Sequence, residues 1–369
     1  MPQPLAETSA NSASSGLPST LLKPQNRERF RAIIDRLIAQ AEAEEQQAEA
    51  EQAFRHEQGE AASFEAEKLK CAGDSVHWFN HWAWTYDPRL IIQNRKPWIP
   101  FKPWPKQVEF LRFVDDRVRA GESWLCEKSR DQGAPYLLVG YALHKWLFSP
   151  GFKTTLGSRG ESEVDNRDNP DSIFEKLRII LRRLPVWMLP RGFEWRKHDT
   201  IMQLTNPENG CVITGEVGDN MGRGGRSSLY VVDEAAFIAH AGKVEAALSG
   251  NVDCVGWVST VNPMGEGNFF FTKRHQGIPQ RQIFRLHWRD DPRKDDAWAA
   301  SKKASLSDSS TWEAEFEINY HASKEGMCIP AAWVQSAQLL AQLEPDLPCS
   351  RIGISGGDVG GGKAKSVLV

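Results

Sequence analysis

Between Arg27 and Ala41 the apolar residues fall on one stripe. Phe30, Ile33, Ile34, Leu37, Ile38 and Ala41 stand at i, i+3, i+4, i+7, i+8 and i+11, which predicts an amphipathic helix. Beyond Ala41 the stripe fades into Ala, Glu and Gln up to about Lys70, a stretch of high helix propensity with little to bury. That predicts an extended, acidic, partly solvated helix, either a partner-binding arm or a plain solvated appendage. From Asp74 the pattern changes. Trp78, Phe79, Trp82, Trp84 and Tyr86 crowd together before Asp87-Pro88, too dense in aromatics for a surface, so the globular part is expected to start here.

The middle of the chain alternates between the two periods. Ser123–Glu127, Thr154–Leu156, Leu229–Val232, Val255–Ser259 and Ile283–His287 read as strands, the third and fourth apolar enough to be central. Pro135–Phe148, Ser172–Leu184, Thr311–Tyr320 and Ala331–Leu343 read as helices. Ile201–Leu204 and Cys211–Thr214 look like a hairpin around Asn206-Pro207 and Asn209-Gly210. This alternation predicts an α/β fold: a mostly parallel central sheet flanked by helices, with a helical extension before it. Ligands in such sheets bind where the carboxyl ends of the strands meet the loops.

Composition narrows the setting. Of 369 residues, 40% are hydrophobic and 25% charged, enough for a packed core over most of the length. Residues 1–25, rich in Ser, Ala, Pro and Asn, cannot bury enough surface to order themselves and are expected to be a disordered tail. The net charge of −3 argues against a static nucleic-acid binder with a broad basic face, but leaves room for a local groove. The six cysteines form no CxxC or CxxxC pair, which argues against zinc; they read as reduced thiols, Cys126 and Cys254 as small buried hydrophobes. The N-terminus lacks the apolar core of a signal peptide and no apolar run approaches a membrane span, so a cytosolic protein is expected.

Chemistry concentrates at three strand ends. After Ser123–Glu127 come Lys128, Ser129, Arg130, Asp131, Gln132, Gly133, Ala134 and Pro135, then a helix: the setting of a phosphate loop, where backbone N–H groups and a helix start face an anion. The usual pattern is G-x-x-x-x-G-K-S/T. Here Gly133 is the second glycine, Ala134 and Pro135 replace the lysine and hydroxyl residue, and Lys128 stands at the first glycine position, from which it can fold back over the loop. Without a hydroxyl at Pro135, Mg²⁺ loses a usual ligand, for which water or Ser129 is a substitute. Taken alone, the motif is weak, and a plain strand-to-helix turn is the stronger reading.

The run Leu229-Tyr230-Val231-Val232 ends in Asp233 and Glu234 and fits a Walker B element, with Asp233 holding Mg²⁺ through water and Glu234 activating the attacking water. Val255–Ser259 is followed by Thr260 and Asn262; these small polar groups with Ser259 suit sensing of a γ-phosphate, or mark an ordinary strand running into the turn at Asn262-Pro263. Before the acidic pair, Gly222 to Ser228 carry Arg223 and Arg226 on a glycine-rich loop, suited either to an arginine finger or to solvated and DNA-backbone contacts. Upstream, the Gln107 amide can pair with an adenine edge or simply start a helix.

The stretches WTYDPR, CEKSRDQGAPYLL, NPDSIFEKLR, RGGRSSLYVVDEAAF, STVNPMGEGNFF and ISGGDVGGGKAKSVLV together resemble the terminase large subunits of tailed phages, especially the Mu-like branch, from about Asp74 to the C-terminus. The resemblance implies a P-loop ATPase of the ASCE type that binds ATP and Mg²⁺ and works as a homo-oligomeric ring on a procapsid portal protein. It implies double-stranded DNA and a small terminase subunit as partners, and a place in the host bacterial cytoplasm, transiently at the portal. Lys128 to Gly133 would form the variant phosphate loop, Asp233 and Glu234 the Walker B pair, Ser259 to Asn262 the coupling motif, and Gln107 the adenine reader. Arg223 would reach a neighbouring subunit's site and Arg130 would act within the loop; Arg226 fits less well.

The same resemblance makes Arg351–Gly357 the first strand of an RNase H-like nuclease, Asp358 its first metal-binding aspartate and Gly360–Gly362 the following turn. One carboxylate cannot clamp two metals, so no nuclease activity is expected of this chain. The expected division is 1–25 tail, 26–72 helical acidic arm, 73–345 P-loop ATPase domain, and 346–369 linker with the truncated start of the nuclease domain. Two rivals share the same residues: another nucleic-acid-dependent ATPase of helicase or remodeller type, and a non-catalytic scaffold left from a decayed prophage.

Overall fold

Strands whose side chains are buried on both faces can only lie inside a layered α/β domain, and β3 (Trp124–Lys128) and β9 (Val255–Ser259) are buried at every position. The computed structural model describes residues 61–262, 268–322, 357–358 and 367–368. Its main sheet has eight strands. With β4 (Lys153–Ser158), β5 (Asp199–Thr200), β6 (Gln203–Thr205), β7 (Val212–Val217), β8 (Leu229–Asp233) and β10 (Ile283–Leu286), the order is β10-β3-β9-β8-β4-β7-β6-β5. All pairings from β10 to β7 are parallel, and the β7-β6-β5 edge is antiparallel. β9 lies between β3 and β8, the strand order of an ASCE-type P-loop NTPase. A small antiparallel pair, β1 (Trp84–Tyr86) and β2 (Trp98–Pro100), stands apart.

The pleat splits the core in two. Trp124, Cys126, Leu229, Val231 and Val258 face a large cluster with the helices α1 (Ala61–Gly73), α2 (Ser75–Trp82), α3 (Pro105–Ala120), α4 (Ala134–Phe148) and α5 (Ile173–Leu181). Leu125, Tyr230, Val232, Val255 and Trp257 face α6 (Ala241–Leu248) and Phe270 and Phe271 on the other side. Gly256 is dictated by packing: a Cβ there would drive into the Trp124 indole. A third cluster joins Trp288, Trp312 and Phe316, the last two from α8 (Ser309–Glu315) and its end; α7 (Asp296–Ala304) adds Trp298.

Two buried ion groups tie helices together. Asp115 of α3 accepts from Ser75 Oγ at 3.0 Å, Tyr141 OH at 2.8 Å and Lys145 Nζ at 2.9 Å, stapling α2, α3 and α4. Arg178 of α5, 1% exposed, donates to Asp165 at 2.7 Å and Asp199 at 2.9 Å.

Several expectations are modified. The hairpin is present as β6 and β7. The helix expected over 311–320 stops at Glu315, because Ile318 adopts a left-handed backbone (φ 57°) that a helix cannot continue through. The last turns of the expected acidic arm belong to the packed body: α1 buries Glu67 and Cys71, and Phe64 stacks on Trp187. The tail 1–25, the helix from Phe30 to Ala41, the helix over 331–343 and Gly360–Gly362 lie outside the described residues. Of the nuclease-like segment, only Gly357–Asp358 and Val367–Leu368 are described, as a two-residue antiparallel ladder. Among the described residues no helix is long and apolar enough to cross a membrane.

Candidate active site

Because β3, β9 and β8 run parallel, their carboxyl ends share one edge of the sheet, and the three polar strand ends found in the sequence meet there. Lys128, the last residue of β3, places Nζ 3.3 Å from Glu234 Oε1, just past the end of β8. The lysine side chain is only 8% exposed. Burial alone would pull its ammonium down, but Glu234 and Asp233 outweigh that and hold it above the ordinary lysine value. For Asp233 burial comes first and Glu234 adds to it; Lys128 opposes both, and the carboxyl ends above its usual range. Among the described residues Asp233 Oδ1 is buried without a hydrogen-bond partner. An orphaned carboxylate oxygen beside a phosphate loop fits the hard oxygen-ligand chemistry of Mg²⁺.

The loop itself is shaped by two left-handed residues, Asp131 (φ 60°) and Gly133 (φ 67°). Glycine adopts this backbone freely, whereas Asp131 is held there by Lys294, which donates to its carbonyl at 2.6 Å, and by Arg89, 3.5 Å from its carboxylate. Gly133 caps α4, and Pro135 sits in the first turn, where its missing N–H costs nothing. Among the described residues the backbone N–H groups of Gly133, Ala134 and Tyr136 find no partner, so this end of the loop presents donors and the positive end of a helix dipole.

The opposite end of the loop is held by protein. Ser129 N–H donates to the Leu286 carbonyl at 2.8 Å and Arg130 N–H to the Glu315 carbonyl at 2.7 Å. The Ser129 hydroxyl donates to the Phe316 carbonyl at 2.5 Å and accepts from Trp288 N–H at 3.0 Å. Ser129 is therefore no substitute for the missing hydroxyl ligand in this arrangement. The Arg130 side chain, 67% exposed, points outward and pairs with Glu315 at 3.0 Å.

Gln107 departs from the expected adenine reader. It is fully buried, its Nε2 donating to the Gln132 carbonyl at 2.9 Å and its Oε1 accepting from Trp104 N–H at 3.3 Å. Both ends of the amide are used inside the protein, so the residue supports the loop from behind instead of meeting a base. Gln132 is also buried; its amide, oriented to suit its neighbours, donates to the His287 carbonyl and accepts from Lys294, each at 3.1 Å.

At the end of β9, Ser259 Oγ accepts from Ala236 N–H at 3.2 Å and Asn262 Nδ2 donates to the Ala236 carbonyl at 3.1 Å. Both therefore grip the segment that follows Glu234. Thr260 is buried beside them. Arg223 and Arg226 lie elsewhere. Their loop runs toward the amino ends of the strands: the Gly222 carbonyl accepts from Asn251 Nδ2 at 3.1 Å and Ser228 N–H donates to Lys153 at the start of β4. Arg223 lines a shallow surface hollow with Lys243 and Asn251. The site thus brings together Lys128, Gly133, Ala134, Asp233, Glu234, Ser259 and Asn262, and leaves Arg223 away from its own loop.

Sequence reading missed three supports. Glu315 and Phe316 hold the start of the loop, Lys294 holds Asp131, and Lys176 of α5 is buried close enough to Asp233 to be felt electrostatically, with burial the stronger influence and its ammonium lowered. None carried a local signal, since each acts across the fold.

No family model matches this chain, and no curated protein does. The arrangement of β3, β9 and β8 around the loop defines a P-loop NTPase fold of the ASCE type. Among solved structures the chain is similar to phage large terminases. A mutant of the Thermus phage P74-26 large terminase ATPase domain is 15% identical over 59% of this chain and 94% of that one, with a TM-score of 0.42. A large terminase from a thermophilic bacteriophage, in complex with ADP, is 13% identical over 59% and 54%, with a TM-score of 0.44. The HK97 bacteriophage large terminase is 12% identical over 74% and 53%, with a TM-score of 0.41. The chain spans about half the length of these last two proteins.

Proposed function

We propose that this chain is the ATP-hydrolysing motor part of a phage terminase large subunit, which drives double-stranded DNA into a procapsid. The observation that carries the hydrolytic reading is the meeting of Lys128 and Glu234 at 3.3 Å beside an unpartnered Asp233 oxygen. The motor reading adds the quoted motifs and their order along the chain.

In this reading the β- and γ-phosphates lie against the free N–H groups of Gly133, Ala134 and Tyr136, and the base extends away from the acidic pair. Lys128, which now neutralises Glu234, turns to the phosphates and frees Glu234 as a base. Glu234 orients a water in line with the γ-phosphorus and accepts its proton as the new P–O bond forms and the bond to the bridging oxygen breaks. Asp233 would hold Mg²⁺, which when bound neutralises phosphate charge. Arg130 reaches the phosphates only once its pair with Glu315 opens. Arg223, remote from its own loop, serves the site of a neighbouring copy in a ring, so hydrolysis needs assembly. Ser259 and Asn262 pass a shift of Glu234 through Ala236 into β9, and DNA is gripped through its phosphates without base readout. The small terminase subunit and the portal protein are the expected partners.

The test is ATP turnover at high protein concentration, with and without linear duplex. Wild type should hydrolyse ATP, faster with duplex, and translocate without unwinding; Glu234→Gln should not. Equal rates for the two proteins would remove the enzyme reading, and strand separation would favour a helicase.

A further inference from the structure

Away from the loop, three ligand-type side chains converge in the α1–α2 hairpin. Glu67 and Cys71 stand one turn apart on α1, and His77 comes from α2. Their Oε1, Sγ and Nε2 atoms all lie within 4.8 Å of one another, the only such group of three or more among the described residues. Glu67 is 6% exposed and Cys71 fully buried, while His77 is 26% exposed and opens one side to solvent.

The hydrogen bonding concentrates on one atom. Glu67 Oε1 lies 2.7 Å from His77 Nε2, 3.0 Å from Trp82 Nε1 and 3.6 Å from Cys71 Sγ. Two of these three neighbours are soft or borderline metal ligands, and the third, the Trp82 indole, is a fixed donor that orients the carboxylate. A carboxylate, a thiol and an imidazole converge on one point between α1 and α2. The backbone is already organised: Asp74 caps α2 by accepting from Val76 N–H at 2.8 Å. The Cys71 carbonyl takes a 2.7 Å hydrogen bond from His144 of the phosphate-loop helix.

We propose that Glu67, Cys71 and His77 form a zinc site, with the fourth position open to water on the His77 side. The mixed oxygen, sulfur and nitrogen set suits Zn²⁺, which takes tetrahedral sites with these donors. Magnesium and calcium prefer oxygen alone. On binding, the Cys71 thiol loses its proton to solvent, and the proton that His77 Nε2 shares with Glu67 is exchanged through solvent for one on Nδ1, so that Nε2 faces the metal and one proton is released in all. The ion replaces the protons that now bridge the cluster and locks α1 to α2, and through the Cys71 carbonyl to α4. Bound there, the ion braces the helix that begins at the phosphate loop, although its three protein ligands and one water differ from the closed four-ligand sites usual for structural zinc. The absence of a CxxC pair is no obstacle, because the ligands are spaced E-x3-C-x5-H across two helices.

The experiment uses the full chain loaded with Zn²⁺ or Co²⁺. One equivalent of zinc should remain after desalting, and cobalt should give a thiolate-to-metal charge-transfer band with the visible bands of a tetrahedral centre. Cys71→Ser should abolish the charge-transfer band. His77→Gln, at a partly exposed position, should weaken binding at least tenfold. Chelation should lower the Tm of wild type, and lower that of His77→Gln by less. Failure of wild type to retain zinc or to develop the band overturns the proposal. So does an undiminished band in Cys71→Ser, or unchanged affinity in His77→Gln.

Discussion

Lys128 and Glu234 lie 106 residues apart in the chain and meet at 3.3 Å across the end of β9. In the proposed mechanism this pairing holds the base neutralised until a triphosphate competes for the lysine. Glu234→Gln keeps the shape and removes the base. ATP hydrolysis is expected to fall by about 100-fold or more, the usual loss with a general base. Nucleotide affinity should hold or rise slightly, since Lys128 is released to the phosphates. Steady-state turnover together with equilibrium binding of a fluorescent nucleotide checks both halves.

Gln107 is bonded at both ends of its amide to Gln132 and Trp104, which in the proposed reading makes it a support of the loop. Gln107→Ala is therefore expected to weaken ATP and GTP by the same factor, on the order of tenfold for one buried hydrogen bond to a loop carbonyl. An altered ATP-to-GTP preference in competition binding would instead mark the residue as a base reader.

Arg223 sits toward the amino ends of the strands, away from its own phosphate loop. Arg223→Ala should lower turnover at high protein concentration by about 10³-fold, as arginine fingers do. Mixing Arg223→Ala with Glu234→Gln should restore part of the activity, because one interface in the mixed ring then joins an intact base to an intact arginine. Absence of restoration, with both proteins assembling, would place the arginine outside the reaction.

Asp115 is held by Lys145, Tyr141 and Ser75. Burial pushes its carboxyl up, but these donors outweigh burial and hold it below the ordinary aspartate range. Its contribution to stability is therefore present above the unfolded value and is lost as pH falls through the lower folded value. Asp115→Asn should cost about 3 kcal/mol at pH 7 by breaking a largely buried pair. The difference from wild type should shrink only below about pH 4, the region of the unfolded aspartate. Urea denaturation of both proteins across that range measures it.

The parts of the fold that the sequence disclosed are those where burial leaves a local imprint. The runs 229–232 and 255–259 are apolar because both faces of a central parallel strand are covered, and Gly133 with Pro135 marks a helix start by backbone chemistry alone. The acidic tip of β8 and the polar tip of β9 are visible in the sequence because each follows such an apolar run. What stayed hidden depends on distant partners. Gln107 looks like any polar residue at a helix start until Gln132 is seen behind it. Glu315 and Phe316 touch Arg130 and Ser129 from about 185 residues away. In α1, the Ala, Glu and Lys around Cys71 gave no stripe, because the buried face is held by Glu67 and its polar partners as much as by apolar contact.

The most direct measurement is a structure of the assembled protein with Mg²⁺ and a slowly hydrolysed ATP analogue. The expected result places the β- and γ-phosphates within hydrogen-bonding distance of the Gly133 and Ala134 N–H groups and Lys128 Nζ, with Glu234 released from the lysine and facing the γ-phosphorus. A nucleotide bound elsewhere, while Lys128 stays paired to Glu234 and the Glu315–Phe316 segment still holds the loop, would contradict the account.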